Sequence, residues 1–276
     1  MKLVVGARGR LGSAICAALG ANDRIAPGRT VYENWWQPDT ESAIGRFLDQ
    51  AESPIECIFV AAGVIDPGAS ALDHDRVNFR LPRQILRVAS PRQIRVVTFG
   101  TMMEVIAHGT PASPYVASKL ALAEEVQAMH PNALHVRVNT LYGGPPPASH
   151  MFIGQMVESL VSHSLFRMSP GTQLREYHHI DDEAQAIVML GASSQSGVID
   201  LNHGAPVTLA DLAHRTFEAL GALDLLQIGA LPAPATERFD LEYIRNPRLS
   251  ECRFRDVLTA MPAYVRECLA ASRSRL

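Results

Sequence analysis

The chain has 276 residues, of which 47% are hydrophobic and 19% charged, a composition that supports a sizeable core and excludes disorder, collagen and coiled coil. Basic and acidic residues nearly cancel, at 25 against 28, which argues against a nucleic-acid partner or an anionic membrane surface. No apolar stretch reaches the length of a membrane span, and the four irregularly spaced cysteines fit neither a zinc site nor a disulfide framework, so we predict a cytoplasmic protein without a membrane partner.

Apolar runs and helix-like segments alternate along the first half of the chain. We predict strands over 2–5, 24–27, 55–61, 94–99 and 134–138, a returning strand near 197–201, and helices over 11–19, 40–51, 76–89 and 115–129. Strands that are apolar throughout are buried on both faces, and their alternation with helices is typical of parallel sheets. We therefore predict an α/β fold with a Rossmann-type doubly wound parallel sheet over residues 1–142. After the proline-rich segment 143–147, residues 143–276 are expected to form mostly a smaller C-terminal α/β substrate-binding lobe.

A glycine-rich turn, GARGRLG, follows the first predicted strand and opens a helix. Glycine lets the backbone turn tightly and approach a pyrophosphate, whose charge the helix N-terminus stabilises, although such turns also arise from close strand–helix packing. The turn predicts a dinucleotide site, and its candidate cofactor-binding residues are Gly6, Arg8, Gly9, Arg10, Leu11 and Gly12.

The end of the second predicted strand bears on the choice of dinucleotide. NAD enzymes place a carboxylate there to bind the ribose 2′-hydroxyl, whereas an arginine accommodates the 2′-phosphate of NADP. No acid stands at this strand end; the nearest is Glu33, and Arg29 follows the strand. Together with Arg8, this pattern favours NADP(H) with NAD(H) possible, and the alternative is that both arginines are solvated surface charges.

Tyr115 and Lys119 stand four residues apart on a predicted helix, so both side chains emerge from one face. A neighbouring ammonium lowers the pKa of a phenol, which can then exchange a proton with a carbonyl while a nicotinamide cofactor exchanges hydride. Lys119 is the only lysine after Lys2 in a chain with 23 arginines, which favours a specific role. A hydroxyl at the end of the strand over 94–99 completes this hypothesis: Thr101 is expected to hold the substrate carbonyl, with Thr98 as an alternative.

With these motifs in this order, the chain resembles the extended short-chain dehydrogenase/reductases, a family of NAD(P)-dependent nucleotide-sugar epimerases, dehydratases and reductases. The motifs are GARGRLG at 6–12, VAAG at 60–63, GTMMEV at 100–105, YVASK at 115–119, RVNTLYGG at 137–144 and REYHHIDD at 175–182. The resemblance implies a catalytic triad of Thr101, Tyr115 and Lys119 and a homodimer. It also implies cofactor contacts at Ala61, Ala62, Gly63, Asn78, Tyr115, Lys119 and Asn139, and substrate contacts at Thr101, Met102, Thr140 and Arg175.

Departures from the family pattern narrow the expected reaction. Met102 and Met103 stand where the dehydratases carry an acidic pair, and a thioether cannot transfer a proton, so 4,6-dehydration is not expected. We expect reduction of a keto group by NADPH at C4 of a nucleotide-linked deoxysugar. The alternatives are an NAD-dependent nucleotide-sugar 4-epimerase and a non-catalytic dinucleotide-binding regulator.

Three further expectations concern charged residues. Glu104 is expected to be a solvated loop charge. Arg175 is expected to grip the nucleotide diphosphate, unless it pairs with Asp181 or Asp182. His178 and His179 are adjacent and point in different directions on regular structure, so we predict no metal site there.

Overall fold

A computed structural model describes residues 1–106, 113–233 and 239–273. The described chain forms two compact units, one over residues 1–138 and 184–201 and the other over 139–183 and 202–276, the latter within the described ranges. The first unit therefore takes residues from two separate stretches of sequence.

Twelve strands occur among the described residues. They are β1 (Lys2–Val5), β2 (Arg24–Ile25), β3 (Cys57–Val60), β4 (Arg95–Thr101), β5 (Ala133–Val138), β6 (Thr140–Tyr142), β7 (Phe166–Met168), β8 (Leu174–Arg175), β9 (Tyr177–His179), β10 (Gly197–Asp200), β11 (Val207–Thr208) and β12 (Leu226–Ile228).

The α-helices of the described chain number eleven. They are α1 (Arg10–Leu19), α2 (Arg29–Tyr32), α3 (Glu41–Asp49), α4 (Ala71–His74), α5 (Leu81–Ala89), α6 (Met103–Ile106), α7 (Pro114–Met129), α8 (Phe152–Ser162), α9 (Ile180–Ala192), α10 (Leu209–Ala219) and α11 (Val257–Arg273). A π-helix over Asp75–Arg80 joins α4 to α5, and three short 3₁₀ turns cover Ser90–Arg92, Leu223–Leu225 and Pro247–Leu249.

The first unit contains a six-stranded sheet in the order β10-β5-β4-β3-β1-β2, and every neighbouring pair is parallel. All four residues of β3 are buried, as expected for a strand covered on both faces. The helices supply the covering side chains, among them Ile44 of α3, Ile85 of α5 and Leu122 of α7. This arrangement confirms the predicted α/β Rossmann-type parallel sheet, in which β10 is the edge strand beside β5.

The segment predicted as one helix over 76–89 is divided in the structure. Its first residues, 76–80, belong to the π-helix that follows α4, and 81–89 form α5, where Pro82 lies in the first turn. A proline lacks the backbone N–H and is best tolerated in the first turn of a helix, which agrees with a new helix beginning there. The π-helix carries Asn78, a predicted cofactor-binding residue, and such helical irregularities often lie at functional sites.

Three two-stranded sheets and an apolar core form the second unit. The sheets pair β6 with β9, β8 with β11 and β7 with β12. Phe166 stacks on Phe217 of α10 in this core, which also contains Met261 of α11. A dinucleotide-binding role for residues 1–142 and a mostly substrate-binding role for residues 143–276 stay predictions, as does the division between the two near residue 142.

No helix in the described ranges combines the length and the apolar character that crossing a membrane requires. The four cysteines, all within those ranges, are free thiols, and burial raises the pKa of the Cys57 thiol to about 12.

Candidate active site

The glycine turn after β1 is packed too tightly for side chains. Gly6 has a φ of +91°, and a Cβ on it would lie 2.3 Å from the backbone nitrogen of Ala62. A Cβ on Gly12 would lie 2.2 Å from the carbonyl oxygen of Gly6. The turn therefore sits directly against Ala61 and Ala62, which follow β3, and the structure brings these four predicted cofactor-binding residues together.

The start of α1 has the features of an anion-binding helix terminus. Its N-cap, Gly9, provides no side-chain hydrogen bond, and the first turn contains no acidic residue. The N–H groups of a first helical turn point out of the helix N-terminus, where the helix dipole favours a phosphate. Arg10 and Leu11, the first two residues of this turn, are half-buried. These residues fit the pyrophosphate of a dinucleotide.

Two arginines predicted to select NADP lie on the first unit. Arg8 is an exposed residue within the glycine turn. The predicted strand over 24–27 ends at Ile25, and the exposed Arg29 opens the short helix α2 after it. The acidic residue Glu33 lies beyond that helix, at its C-cap. A role for Arg8 and Arg29 in binding a 2′-phosphate stays a prediction.

Asn78 connects the loop after β3 to helix α7. Its side chain accepts a hydrogen bond from the backbone nitrogen of Val64 at 2.8 Å and donates to the carbonyl oxygen of Val64 at 2.9 Å. Its amide nitrogen also lies 3.3 Å from Oγ of Ser118 on α7. A Cβ on Gly63 would lie 3.3 Å from the Asn78 oxygen and 3.9 Å from Nζ of Lys119. The structure therefore brings Gly63, Asn78 and Lys119 together.

Tyr115 and Lys119 lie in the first two turns of α7, which Ser113 caps by accepting a hydrogen bond from the backbone nitrogen of Val116. Lys119 is 7% exposed, and its Nζ donates a hydrogen bond of 2.7 Å to the carbonyl oxygen of Phe99 in β4. Burial lowers the pKa of Lys119 to about 8, although the negative charge of Glu104 opposes this shift.

Thr101, the last residue of β4, interacts with Tyr115. Burial raises the pKa of the Tyr115 phenol, and the Thr101 side chain, which lowers that pKa, only partly offsets this effect. The expectation of a lowered phenol pKa is therefore wrong for the chain alone, because removal from water disfavours the phenolate. At neutral pH Tyr115 carries its proton.

The alternative hydroxyl, Thr98, has a different environment. It is 0% exposed, and its Oγ1 lies 2.9 Å from Nδ1 of His135. Met102, predicted to contact substrate, is 5% exposed, and its backbone nitrogen donates to the carbonyl oxygen of Val138. The geometry thus favours Thr101 over Thr98 as the partner of Tyr115.

Glu104 is buried, and the expectation of a solvated loop charge is wrong. Its side chain is 0% exposed, its Oε1 accepts a hydrogen bond from the backbone nitrogen of Thr101 at 2.8 Å, and its Oε2 accepts one from Nε of Arg137 at 2.8 Å. His135 Nε2 lies 3.5 Å from Oε1. Burial alone raises the pKa of Glu104, but interactions with His135, Arg137 and the Thr101 backbone outweigh this effect and lower the pKa, so the group is a carboxylate.

Three predicted contact residues belong to the second unit. Asn139 is 6% exposed and donates a hydrogen bond of 3.0 Å to the side chain of Asn202. Thr140 pairs with Tyr177 between β6 and β9. Arg175 is 8% exposed, and its guanidinium donates to the carbonyl oxygen of Leu174 at 2.6 Å. Their predicted roles toward cofactor or substrate stay predictions.

The acidic residues considered as partners of Arg175 pair with another arginine. Arg255 lies 3.7 Å from a carboxylate oxygen of Asp181 and 3.5 Å from one of Asp182. The backbone nitrogen of Arg255 also donates to Asp182 at 2.8 Å. These two carboxylates therefore connect the start of α9 to the segment before α11.

His178 lies between two buried carboxylates, an arrangement that the sequence analysis missed. Its Nδ1 is 2.6 Å from Glu183 and its Nε2 is 2.9 Å from Glu176, and all three side chains are 0% exposed. Burial lowers the pKa of His178, but the two carboxylates raise it more, to about 9. His179 points elsewhere, with its ring 5.2 Å from that of Tyr142.

The ligand atoms of Glu176, His178 and His203 lie within 4.8 Å of one another, a spacing compatible with a metal ion. Oε2 of Glu176, however, is bound by His178 and by the backbone nitrogen of His203, and Oε1 by the backbone nitrogens of Gly204 and Ala205. Each oxygen thus has two hydrogen-bonding partners. These contacts account for the burial of the Glu176 carboxylate, which fixes the backbone of the loop after Asn202 by hydrogen bonds. The absence of a metal stays a prediction.

The sequence profile of the NAD dependent epimerase/dehydratase family matches residues 2–204. A search of curated protein sequences finds no significant match. Solved structures, by contrast, match the fold over nearly the whole chain.

Three such structures illustrate the likeness. A UDP-N-acetylglucosamine 4-epimerase from Methanobrevibacter ruminantium, in complex with UDP-N-acetylmuramic acid, has a TM-score of 0.76 and 17% identity, covering 100% of this chain and 98% of that one. A dTDP-4-dehydrorhamnose reductase from Bacillus anthracis, in complex with NADP, has a TM-score of 0.74 and 14% identity, covering 96% and 98%. A double mutant of a dTDP-glucose 4,6-dehydratase from Streptomyces venezuelae, with NAD bound, has a TM-score of 0.72 and 17% identity, covering 96% of each chain. At these identities the likeness shows the fold.

Proposed function

The chain belongs to the NAD dependent epimerase/dehydratase family of NAD(P)-dependent enzymes, and from this premise we propose that it reduces a keto group with NADPH, at C4 of a nucleotide-linked deoxysugar. The observation that carries the proposal is the buried ammonium of Lys119, on the same helix as the protonated Tyr115 and bound at 2.7 Å to the Phe99 carbonyl in the strand that ends at Thr101. Methionines at positions 102 and 103 argue against dehydration, because neither can accept or donate a proton.

In this proposal each member of the triad has a separate task. Tyr115 donates its proton to the carbonyl oxygen, and its raised pKa keeps that proton available at neutral pH. The Thr101 hydroxyl orients the carbonyl by a hydrogen bond. Lys119, fixed by its bond to the Phe99 carbonyl, supplies a positive charge that stabilises the phenolate left after proton transfer.

The residues around the glycine turn fit a nicotinamide dinucleotide. The backbone of 6–12 and the start of α1 receive the pyrophosphate, Arg8 and Arg29 the 2′-phosphate, and Ala61–Gly63, Asn78 and Asn139 the rest of the cofactor. A bound NADPH supplies the hydride that reduces the carbonyl carbon. The NADP in the B. anthracis reductase supports this cofactor, whereas the NAD in the S. venezuelae dehydratase leaves NAD(H) as the alternative.

The proposed substrate class follows from the structural relatives. The three described above are, by name, enzymes of UDP- or dTDP-linked sugars. In this chain Met102, Thr140 and Arg175 are the proposed substrate contacts beside Thr101, with Arg175 supplying the charge for a diphosphate. A homodimer, a cytoplasmic location and a substrate-binding role for residues 143–276 belong to the same proposal.

The experiment is to mix the purified protein with NADPH and a dTDP-linked 4-keto-6-deoxysugar and to follow the absorbance of NADPH. We expect stoichiometric loss of absorbance and a product reduced at C4, with Tyr115→Phe as the inactive control. The alternative of an NAD-dependent 4-epimerase has support from the UDP-N-acetylglucosamine 4-epimerase neighbour. Interconversion of two sugar nucleotides without net oxidation of NADPH would establish that alternative and refute the reductase.

A further inference from the structure

The side chains of Glu104 and Lys119 lie on different helices, and both bind backbone groups of residues 99–101 at the end of β4. The ammonium of Lys119 on α7 binds the carbonyl oxygen of Phe99 at 2.7 Å. The carboxylate of Glu104 on α6 binds the backbone nitrogen of Thr101 at 2.8 Å. Phe99 and Thr101 flank Gly100, so opposite charges bracket the segment that ends in the hydroxyl paired with Tyr115.

Gly100 leaves the space that the Glu104 carboxylate occupies. A Cβ on Gly100 would lie 2.2 Å from Oε1 of Glu104 and 2.3 Å from Nε2 of His135. Contacts under 3.0 Å essentially never occur for a real Cβ. The absence of a side chain at this strand position therefore lets the carboxylate reach the backbone of the catalytic strand.

The rest of the surroundings hold Glu104 in its charged form. Its other oxygen binds Nε of Arg137 on β5, and Arg137 in turn lies 3.2 Å from Asp200 on β10. Two charged hydrogen bonds and a fixed partner are what a buried carboxylate requires to be tolerated. The titratable and charged groups that interact with Glu104 or with Lys119 are His135 and Arg137 of β5 and Tyr115 of α7, whereas Asp200 of β10 pairs with Arg137.

We propose that Glu104 is a positioning residue of the catalytic site, which fixes the backbone of Thr101 and balances the charge of Lys119. This inference rests on the proposed function for its catalytic meaning, but its electrostatic part concerns only residues of this chain. The negative charge favours the ammonium of Lys119 and opposes ionisation of Tyr115. Glu104 acts through Thr101 and Lys119 and needs no contact with the substrate.

The chain offers a direct measurement because it contains only two lysines, Lys2 and Lys119. In protein labelled isotopically at lysine Cε, each lysine gives one NMR signal, and Lys2, paired with Glu56, is the internal control. The variants are Glu104→Gln, which keeps an acceptor for Thr101 but removes the charge, and Glu104→Asp, which keeps the charge but shortens the side chain. Glu124→Gln, on the exposed face of α7, is the matched control.

We expect Glu104→Gln to lower the pKa of Lys119 by at least about half a unit, because a counter-charge is lost, and to leave Lys2 unchanged. Glu104→Asp and Glu124→Gln should leave the pKa of Lys119 close to that of the unchanged chain. A pKa for Lys119 that is the same in Glu104→Gln as in the unchanged chain overturns the proposal. Thermal unfolding shows whether each variant is folded. If Glu104→Gln is not folded, the pKa of Lys119 in Glu104→Asp still tests whether the charge or the position of the carboxylate matters.

Activity gives the second readout. In Glu104→Gln the alkaline limb of the pH profile of kcat/KM should move to lower pH by at least about half a unit, since Lys119 and Tyr115 both lose their protons more easily. A merely structural role lowers activity equally at every pH, and that result also overturns the proposal. If the unchanged chain reduces no 4-keto sugar nucleotide, the proposed function fails, while the lysine titration still tests Glu104.

Discussion

The side-chain amide of Asn78 makes two hydrogen bonds with the backbone of Val64: its oxygen accepts from the Val64 N–H, and its nitrogen donates to the Val64 carbonyl oxygen. The pair joins the π-helix to the loop after β3, where the cofactor is proposed to bind. Removing the amide removes two hydrogen bonds at a half-buried loop, and each such bond typically contributes about 0.5–1.5 kcal/mol to stability.

We therefore expect Asn78→Ala to lower the free energy of unfolding by about 2 kcal/mol and to weaken NADPH binding about tenfold. Chemical denaturation and a fluorescence titration with NADPH measure the two effects. Asn22→Ala, at an exposed position, is the control. Unchanged NADPH affinity in a destabilised Asn78→Ala protein would show that the loop does not contact the cofactor.

The proposed preference for NADP is tested by the two arginines. Replacing both Arg8 and Arg29 by alanine should raise the Kd of NADPH at least about tenfold, because charged hydrogen bonds to the 2′-phosphate are lost, and leave the Kd of NADH unchanged. Arg46→Ala, an exposed arginine on α3, serves as the matched control. Equal losses for both cofactors would contradict the assignment.

Tyr115→Phe tests the proton donor. The phenol contributes general acid catalysis, typically worth about 10²–10⁴ in rate, so kcat should fall by that factor. The Kd of NADPH should change less than about threefold, since the variant removes only one hydroxyl. A Tyr115→Phe protein with full activity would assign the proton to another group.

The pH dependence of turnover follows from Lys119. Its pKa is lowered from 10.5 to about 8, so its ammonium is lost as the pH rises through about 8, well below the range of an exposed lysine. Tyr115 has a raised pKa and keeps its proton over that range. We expect kcat/KM to decline above about pH 8 and the decline to be absent from the residual activity of Lys119→Met. A pH profile of both proteins decides the point.

His178 gives a separate prediction for stability. Its pKa is raised from 6.5 to about 9, so protonated His178 binds Glu176 and Glu183 in the folded chain more favourably than water does in the unfolded one. The stability it contributes is fully present below about pH 6.5 and is lost as the pH rises through about 9. The difference in free energy of unfolding between the unchanged chain and His178→Gln should therefore shrink over that interval. A constant difference would mean that His178 does not titrate there.

Local patterns were sufficient to predict much of the fold and part of the site. The strand β1 has the predicted bounds, and β10 returns to the sheet where expected, because runs of buried apolar residues are legible without their neighbours. The glycine turn was predictable for a similar reason, since positive φ and close backbone approach both demand glycine.

The buried charged residues were harder to predict because their burial depends on partners that the local sequence pattern does not identify. Glu104 is buried because Arg137, 33 residues further on, and a gap at Gly100 receive it. His178 is tolerated because carboxylates lie on both sides of its ring. For Glu104, a lone charge in an otherwise apolar segment was a usable signal, whereas His178 stands among other charged residues; in neither case did the sequence name the partner.

β10, the last strand of the central sheet in chain order, is separated from its neighbour β5 by a long stretch of sequence. β10 completes the edge beside β5, and its Asp200 pairs with Arg137, although residues 139–183 belong to the other unit. On the ribosome, a nascent chain that has emerged only as far as β5 therefore lacks both the covering strand and Asp200, the second carboxylate that pairs with Arg137. Its sheet edge stays open to non-native partners until synthesis passes Asp200, so expression of the fragment 1–138 alone should favour aggregation over a folded half.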